Sequence, residues 1–572
     1  MTIESSTLSY FLLTTLFGAA SMIILQNGKY PDVHPSVLNN QSEFSTEKIP
    51  GESAIIKSKV YPKGAPKLVK GDRPIYTLSE LYQAALSKYQ SNKFLGARGL
   101  TKKGVTWHTY DKSLEKIQSI YSGLIHKAEL EPSTEMESSF VGIYASTSPD
   151  TFLVEMACHW GGLVTIPIAA QAISSHIMHV VRNTKLTTLV IDETHLEYIL
   201  CLLEESTVKH IIVIDEEQDA DYSELEKSYG FSITCLNQLQ LIGNENLVDR
   251  SLDISTNSMA SIYYNTNSQK IITDANDQDD DKSLGAVLTH KNLVSAISNN
   301  LFHTQMSHKI TSKDRLMHSY TIDDVLGYVL QATTCFAGGS IVFEDKVLLN
   351  EYNVDVMSVL ATIRELKPTV YASGAPFLKQ VQKLIVNKYG NSFLFKRALD
   401  RKDRYHKQGR LVSECIYDML VFRDIKMHLF GANIRMLYLD DDDTPKSDLG
   451  SFYRSVLSVQ VLKTFSRPET SSNMMTTSVF DYALDKRVVG PPLASIHAKL
   501  VDVEKEGYTA EDLPNPRGEI YVCGDTVFAG YWNNVPATMN VKRSDGWYAT
   551  GVIGELLPNG SILLLDTSGQ SS

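Results

Sequence analysis

Four short apolar runs, VGIYAS at 141–146, VTIPIAA at 164–170, TTLVIDE at 187–193 and HIIVIDE at 210–216, most constrain what this chain can become. Each is too short for a buried helix and reads as a strand covered on both faces. TLSELYQAALSKYQS and YDKSLEKIQSIYSGLIHKA, just upstream, carry apolar residues at helical spacing instead. Strands alternating with helices predict parallel sheets with helices on both sides. The chain has 572 residues, enough for several subdomains, and its 43% hydrophobic and 21% charged content is that of a folded protein. A formal charge of -12 argues against nucleic acid as a partner, because no basic face could displace phosphate counterions. The six cysteines lie far apart without zinc-ligand spacing, so buried, reduced thiols are expected.

Leu8 to Leu25 is an uncharged run of 18 residues, long enough to span hydrocarbon as a helix. It reads as a single-pass membrane anchor; a cleaved signal peptide and a buried segment compete with that reading. The preceding Glu4 and the lack of a basic n-region disfavour the signal peptide, and Lys29, Lys57, Lys59 and Lys63 place the remainder in the cytosol. Residues 31–75, punctuated by proline and glycine, read as a linker or a strap over the surface. From Arg517 to Gly560 the runs EIYV and TVFAGYW alternate with turn signals, and SILLLD follows directly, which predicts a compact β unit.

RGEIYVCGDTVFAGYW, DGWYATG and IGELLPNGSILLLD, in that order, resemble the adenylate-forming (AMP-binding) superfamily and specifically its long-chain acyl-CoA synthetase branch. ELKPTVYASGAPFLKQVQ, IYDMLVFRDIKMHLFGANIRMLYL and VVGPPLASIHAKLVDVEKEGY extend the resemblance, which covers roughly Tyr76 to Asp566. It implies an α/β fold with two flavodoxin-like parallel-sheet subdomains (76–487) and a smaller distorted β-barrel subdomain (488–566), preceded by the anchor (8–25) and the strap (31–75). A C-terminal mobile domain, which the family carries beyond an aspartate matched by Asp566, is expected to be absent.

The resemblance also implies ATP, Mg2+ and CoA as cofactors and a long-chain fatty acid or acyl lipid as ligand. The family's phosphate loop, roughly Y-T-S-G-T-T-G-x-P-K-G, cradles a triphosphate with backbone amides and one lysine. SIYY and GAVLTHKNL flank its place here, but Leu284 stands where the lysine is expected and Gly285 is the remnant of the loop. Between them Asp274, Asp277, Asp279, Asp280 and Asp281 crowd an insertion that reads as a solvated loop, with a metal site as the alternative. Val552 replaces the ribose-binding aspartate that ends the family's D-G-W-x-x-T-G-D octet, and Val325 replaces a histidine. Asp440 to Asp443 occupy a turn that in the family is glycine-rich and approaches adenine. In LKTFSRPETSS, Phe465 keeps an aromatic face for adenine, Glu469 keeps the Mg2+ carboxylate, and Ser466 and Pro468 replace a glycine and a threonine.

Three functions stay open. One is a membrane-anchored homologue with impaired or no catalysis that binds acyl groups or regulates, with endoplasmic reticulum, peroxisome or lipid droplet as its membrane. The second is an active AMP-forming fatty acid:CoA ligase. The third is a structural interaction protein with a collapsed pocket. The sequence names no protein partner.

Overall fold

The computed structural model describes residues 7–27, 30–46, 49–98, 104–132, 139–204, 206–214, 221–248, 254–265, 283–304, 306–344, 356–440, 448–482 and 484–565. The four apolar runs form the strands Phe140–Ala145, Val164–Ala169, Thr188–Asp192 and His210–Ile214, mutually parallel in one eight-stranded sheet. Ser232–Cys235 closes one side of it. On the other, the hairpin Met259–Asn265 and Leu284–Thr289 is antiparallel and ends on the short edge strand Gly530–Tyr531. A second eight-stranded sheet runs Ser472–Thr476, Gln460–Arg467, Met436–Asp440, Val370–Gly374, Arg315–His318, Ser340–Val342, Lys93–Arg98, Val105–Thr109, with its two outermost strands antiparallel. Both sheets are therefore mixed rather than purely parallel.

The third sheet has seven antiparallel strands in an open order. Its Ile496–Val501, Arg517–Gly524 and Tyr548–Leu556 strands are those expected of the β unit. Two strands come from the strap: Ser42–Phe44 pairs with Ile56–Ser58, which pairs at Ile56 with Ala498. Glu52 fastens the strap to this sheet, with its carboxylate 2.5 Å from Lys499 Nζ and 2.8 Å from Arg543 Nη1.

The single-pass anchor has no support here. A helix does form over Thr7–Asn27, and Phe11, Leu13, Leu16 and Phe17 are exposed on it. Among the described residues, however, no helix is long and apolar enough to cross a membrane. The cysteines also depart from expectation in part: all six are free, but Cys201 is exposed and Cys523 half-buried.

Two packing features hold the α/β layers. The helices Tyr110–Lys127 and Leu236–Glu245 cross so closely that a Cβ at Gly243 would lie 1.8 Å from the Ser119 carbonyl oxygen, and one at Gly123 would lie 2.3 Å from that of Leu239. Only glycine lets two backbones approach so closely. On the second sheet's outer layer, Lys402 of the helix Phe393–Lys407 is fully buried. Its ammonium lies 2.6 Å from Asp418 Oδ1 and donates to Ser458 Oγ at 2.8 Å and to the Val412 carbonyl. Asp418 opens a π-helical turn, Asp418–Phe422.

The helix Pro149–Gly161 carries buried polar groups against the first sheet. His159 Nε2 lies 3.1 Å from the Ala260 carbonyl, which only accepts, so that nitrogen bears the proton. Nδ1 then accepts from Tyr328 Oη at 2.8 Å, and Tyr328 accepts from Tyr82 at 2.5 Å. Glu155, one turn earlier, is 3% exposed, and its Oε1 has no hydrogen-bond partner among the described residues. Burial pushes its carboxyl up to about 8. A folded-state value above that of the unfolded chain means the protonated acid is favoured in the fold. Stability is then lost as pH rises from the ordinary carboxyl range through about 8. Glu155→Gln, which cannot ionise, is expected to raise the thermal midpoint relative to wild type by an increment that grows between pH 5 and pH 8. Calorimetry across that range checks it; a constant difference would contradict the assignment.

Candidate functional site

The C-terminal ends of two strands, a 3-10 turn and the edge strand Gly530–Tyr531 bring polar groups together where all three sheets meet. Glu469 sits on the turn Pro468–Thr470 that follows the strand Gln460–Arg467, and is 3% exposed. Its backbone carbonyl accepts from Phe528 N at 2.9 Å, and its Oε1 accepts from Tyr531 Oη at 2.9 Å. Glu469 thus links the second sheet to the edge of the first. Burial and then the neighbouring Glu469 hold the phenols of Tyr531 and Tyr548 well above their ordinary range, so both stay protonated donors. Phe528 packs edge-on between them, 4.9 Å from the Tyr531 ring and 5.4 Å from that of Tyr548. Sequence reasoning missed both tyrosines, although Tyr531 lies in the GYW motif and Tyr548 in DGWYATG.

Tyr531→Phe would remove the phenol that donates to an oxygen of the buried Glu469 carboxylate. The expected cost is about 1–3 kcal/mol, read as a lower thermal midpoint with secondary structure retained.

Asp440 ends the strand Met436–Asp440, with Oδ2 accepting from Ser466 Oγ at 2.8 Å and Oδ1 from Thr464 Oγ1 at 3.1 Å. It is an internal clamp between neighbouring parallel strands; Asp441 to Asp443 lie outside the described residues. Phe465 is fully buried, and its ring lies beneath the Arg467 guanidinium at 5.7 Å. The expected adenine-stacking face is enclosed by the protein's own residues.

Leu284 opens the strand Leu284–Thr289 opposite Asn265, half-buried and packed against the main core. A Cβ at Gly285 would lie 2.6 Å from Tyr264 Cζ, so side-chain packing within the hairpin accounts for this glycine. The aspartates 274–281 lie outside the described residues, as does Asp566. Val552 is half-buried against the same core, directly after Gly551, whose φ of 69° suits glycine and whose amide donates to Glu519 Oε1 at 2.9 Å. Val325 is the first residue of the helix Val325–Ala337 and is buried. His318 lies nearby; burial pushes its imidazole down to about 4, its Nδ1 accepts from Tyr320 N at 3.2 Å, and its Nε2 lies 2.8 Å from the Gln331 side-chain amide. It is neutral at pH 7.

Glu469, Tyr531, Phe528 and Tyr548 are joined by shared contacts, Asp440 clamps the adjoining strand and Phe465 lies under Arg467, while Leu284 and Val552 pack against the main core. Among the described residues no three acidic, histidine or cysteine side chains are grouped to hold a metal ion. Among the described residues, Leu284 and Val552 offer no polar side-chain atom, and Glu469 Oε1 is engaged by Tyr531.

Residues 284–532 match the model of the AMP-binding enzyme family. The chain is 27% identical over 506 residues to long chain acyl-CoA synthetase 6, peroxisomal, of Arabidopsis thaliana, covering 86% of this chain and 67% of that protein. It is 26% identical over 536 residues to fatty acyl-CoA synthetase A of Dictyostelium discoideum, covering 91% and 73%. The chain therefore spans about two thirds to three quarters of these relatives' length. Its fold is similar to the A domain of a carboxylic acid reductase from Segniliparus rugosus in complex with AMP and a co-purified carboxylic acid, with a TM-score of 0.66, 18% identity and coverage of 86% and 74%. A putative long-chain-fatty-acid CoA ligase from Rhodopseudomonas palustris aligns with a TM-score of 0.60 and 19% identity, covering 86% of this chain and 98% of that one. The fold is an α/β arrangement like that of AMP-binding enzymes, with two mixed sheets and a curled, open third sheet.

Proposed function

We propose that this chain, long-chain acyl-CoA synthetase-like in its AMP-binding region, binds long-chain acyl groups as a binding or regulatory protein in which adenylation is impaired. One observation carries the reading. The two positions that the family resemblance assigns to the phosphate-loop lysine and the ribose aspartate hold Leu284 and Val552, both half-buried and packed against the apolar core. A pre-organised donor lost from such a site costs about 3–4 kcal/mol of transition-state stabilisation, and a charged ribose contact about 1.5–3 kcal/mol. These losses are not additive, but together they weigh heavily against catalysis. ATP, Mg2+ and CoA are the cofactors the resemblance brings with it.

The test is pyrophosphate–ATP isotope exchange with oleate, alongside calorimetric titration of oleate. Expected are exchange at background and a saturable fatty-acid heat. Exchange clearly above background would instead establish the second reading, an active AMP-forming ligase, which the buried Glu469 on its strand-end turn favours. Absence of both signals would leave the structural interaction protein.

A further inference from the structure

We propose that the cleft between the strap, the helix His290–His303 and the third sheet binds a phosphate-bearing anion. The cleft has a volume of about 840 Å³, within the range of small-molecule sites. The strap supplies Lys57, Lys63 and Lys67 to its walls, the helix supplies Lys291, and the sheet supplies His497. Asp525 is the one carboxylate among the described lining residues, and it lies 2.8 Å from Lys291 Nζ. Four lysines against one aspartate give the cleft a formal charge of +3 with His497 neutral, in a chain whose formal charge is -12.

Burial, then Lys57, hold the His497 imidazole below its ordinary value, which keeps it a neutral hydrogen-bonding group at pH 7. Lysines gathered in one cleft repel one another, and a multiply charged anion relieves that repulsion. A compact, strongly hydrated ammonium suits phosphate as a point charge, where a single carboxylate would leave most of the positive charge unmatched. Leu68, Ile75 and Val294 add an apolar wall that fits the organic body of such a ligand. Ser298 Oγ donates to the Pro66 carbonyl at 2.5 Å, so the helix already holds one end of the strap in place.

None of the residues gathered around Glu469 lines this cleft, so the inference stands apart from the acyl reading. The phosphate could belong to a soluble metabolite or to a lipid headgroup, and the two sources separate experimentally. The full chain would be titrated calorimetrically with inorganic pyrophosphate, and tested for co-sedimentation with phosphatidylcholine vesicles with and without phosphatidylinositol phosphate. The variants are Lys63→Ala/Lys67→Ala, Lys57→Gln, and the charge-conserving Lys63→Arg/Lys67→Arg.

Saturable binding that weakens about tenfold or more in the double alanine variant, persists in the double arginine variant and declines with salt supports the site. Pyrophosphate binding identifies a soluble source, and binding only to phosphoinositide vesicles identifies a headgroup. Slower proteolysis of residues 57–76 on addition of the bound probe gives a readout independent of variant folding. Binding to neither probe overturns the proposal, as does binding that the alanine and Lys57→Gln variants leave unchanged, since that would place the anion elsewhere.

Discussion

Lys402→Ala is expected to lower stability by about 3–5 kcal/mol, the usual cost of removing one partner from a buried ion pair. The lysine's side chain is 1% exposed and that of Asp418 12% exposed. Truncation strands more than the one charge of Asp418: it also removes the donor to Ser458 Oγ and to the Val412 carbonyl. Ser458 Oγ donates to Asp418 Oδ1 at 3.0 Å and accepts from Lys402, so one substitution disturbs three groups around the π-helical turn. Thermal unfolding reads the loss directly. Two further variants separate charge from packing. Lys402→Met with Asp418→Leu should recover most of the midpoint, because replacing both ions by apolar groups avoids leaving either uncompensated. Lys407→Ala, which breaks the exposed pair with Asp403 at 2.7 Å, should leave the midpoint unchanged within error. If Lys402→Ala behaved like Lys407→Ala, the buried pair would contribute nothing.

Gly243→Ala is the second large effect expected. On an exposed helix face this substitution would stabilise by about 1 kcal/mol through helix propensity. Here the added Cβ would sit 1.8 Å from the Ser119 carbonyl oxygen and 2.8 Å from Gly123 N, both backbone atoms with no rotamer to escape into. The helices must separate, and overpacking of this kind costs about 1–3 kcal/mol, at the upper end where backbone meets backbone. Net destabilisation is expected, measured as a lowered denaturation midpoint, with the exposed Asn244→Ala on the same helix neutral or slightly stabilising. An unchanged midpoint for Gly243→Ala would mean that the two helices can part freely.

The sequence carried the layers of this fold and little of its polar interior. Strands such as 141–146 and 210–216 are legible because both faces are covered, which leaves an uninterrupted apolar run. The strap's two strands are not: Ser42–Phe44 and Ile56–Ser58 are only three residues each and borrow their order from Ile496–Val501. Lys402 illustrates a different failure. In FLFKRALDRKDRYHK charge dominates and suggests a solvated face, yet Phe395, Ala398, Lys402 and Tyr405 recur at helical spacing and are all buried. The spacing places the lysine inside, and only the fold supplies the aspartate that makes this tolerable.

The site divides in the same way. Glu469 and Phe465 could be named from LKTFSRPETSS, but their engagement by Tyr531 and Arg467 arises from contacts between separate strands. Leu284 and Val552 were named from the family resemblance, and their packing against the core was not legible. The apolar run at the N-terminus shows the limit of pattern alone, since length and composition predicted a span for which the described residues give no support.

The fastening of the strap to the third sheet bears on biosynthesis. Glu52 and Lys499 are 447 positions apart, so a ribosome that has just made the strap has yet to make the strand it will join. At about 5–20 residues per second, the interval is roughly 20–90 s. Throughout it the nascent Ser42–Phe44 and Ile56–Ser58 segments have no sheet to add to, and their register is set only once the last quarter of the chain emerges. The earliest part of the strap is thus among the last parts to reach its final pairing, a long window for chaperones to act on.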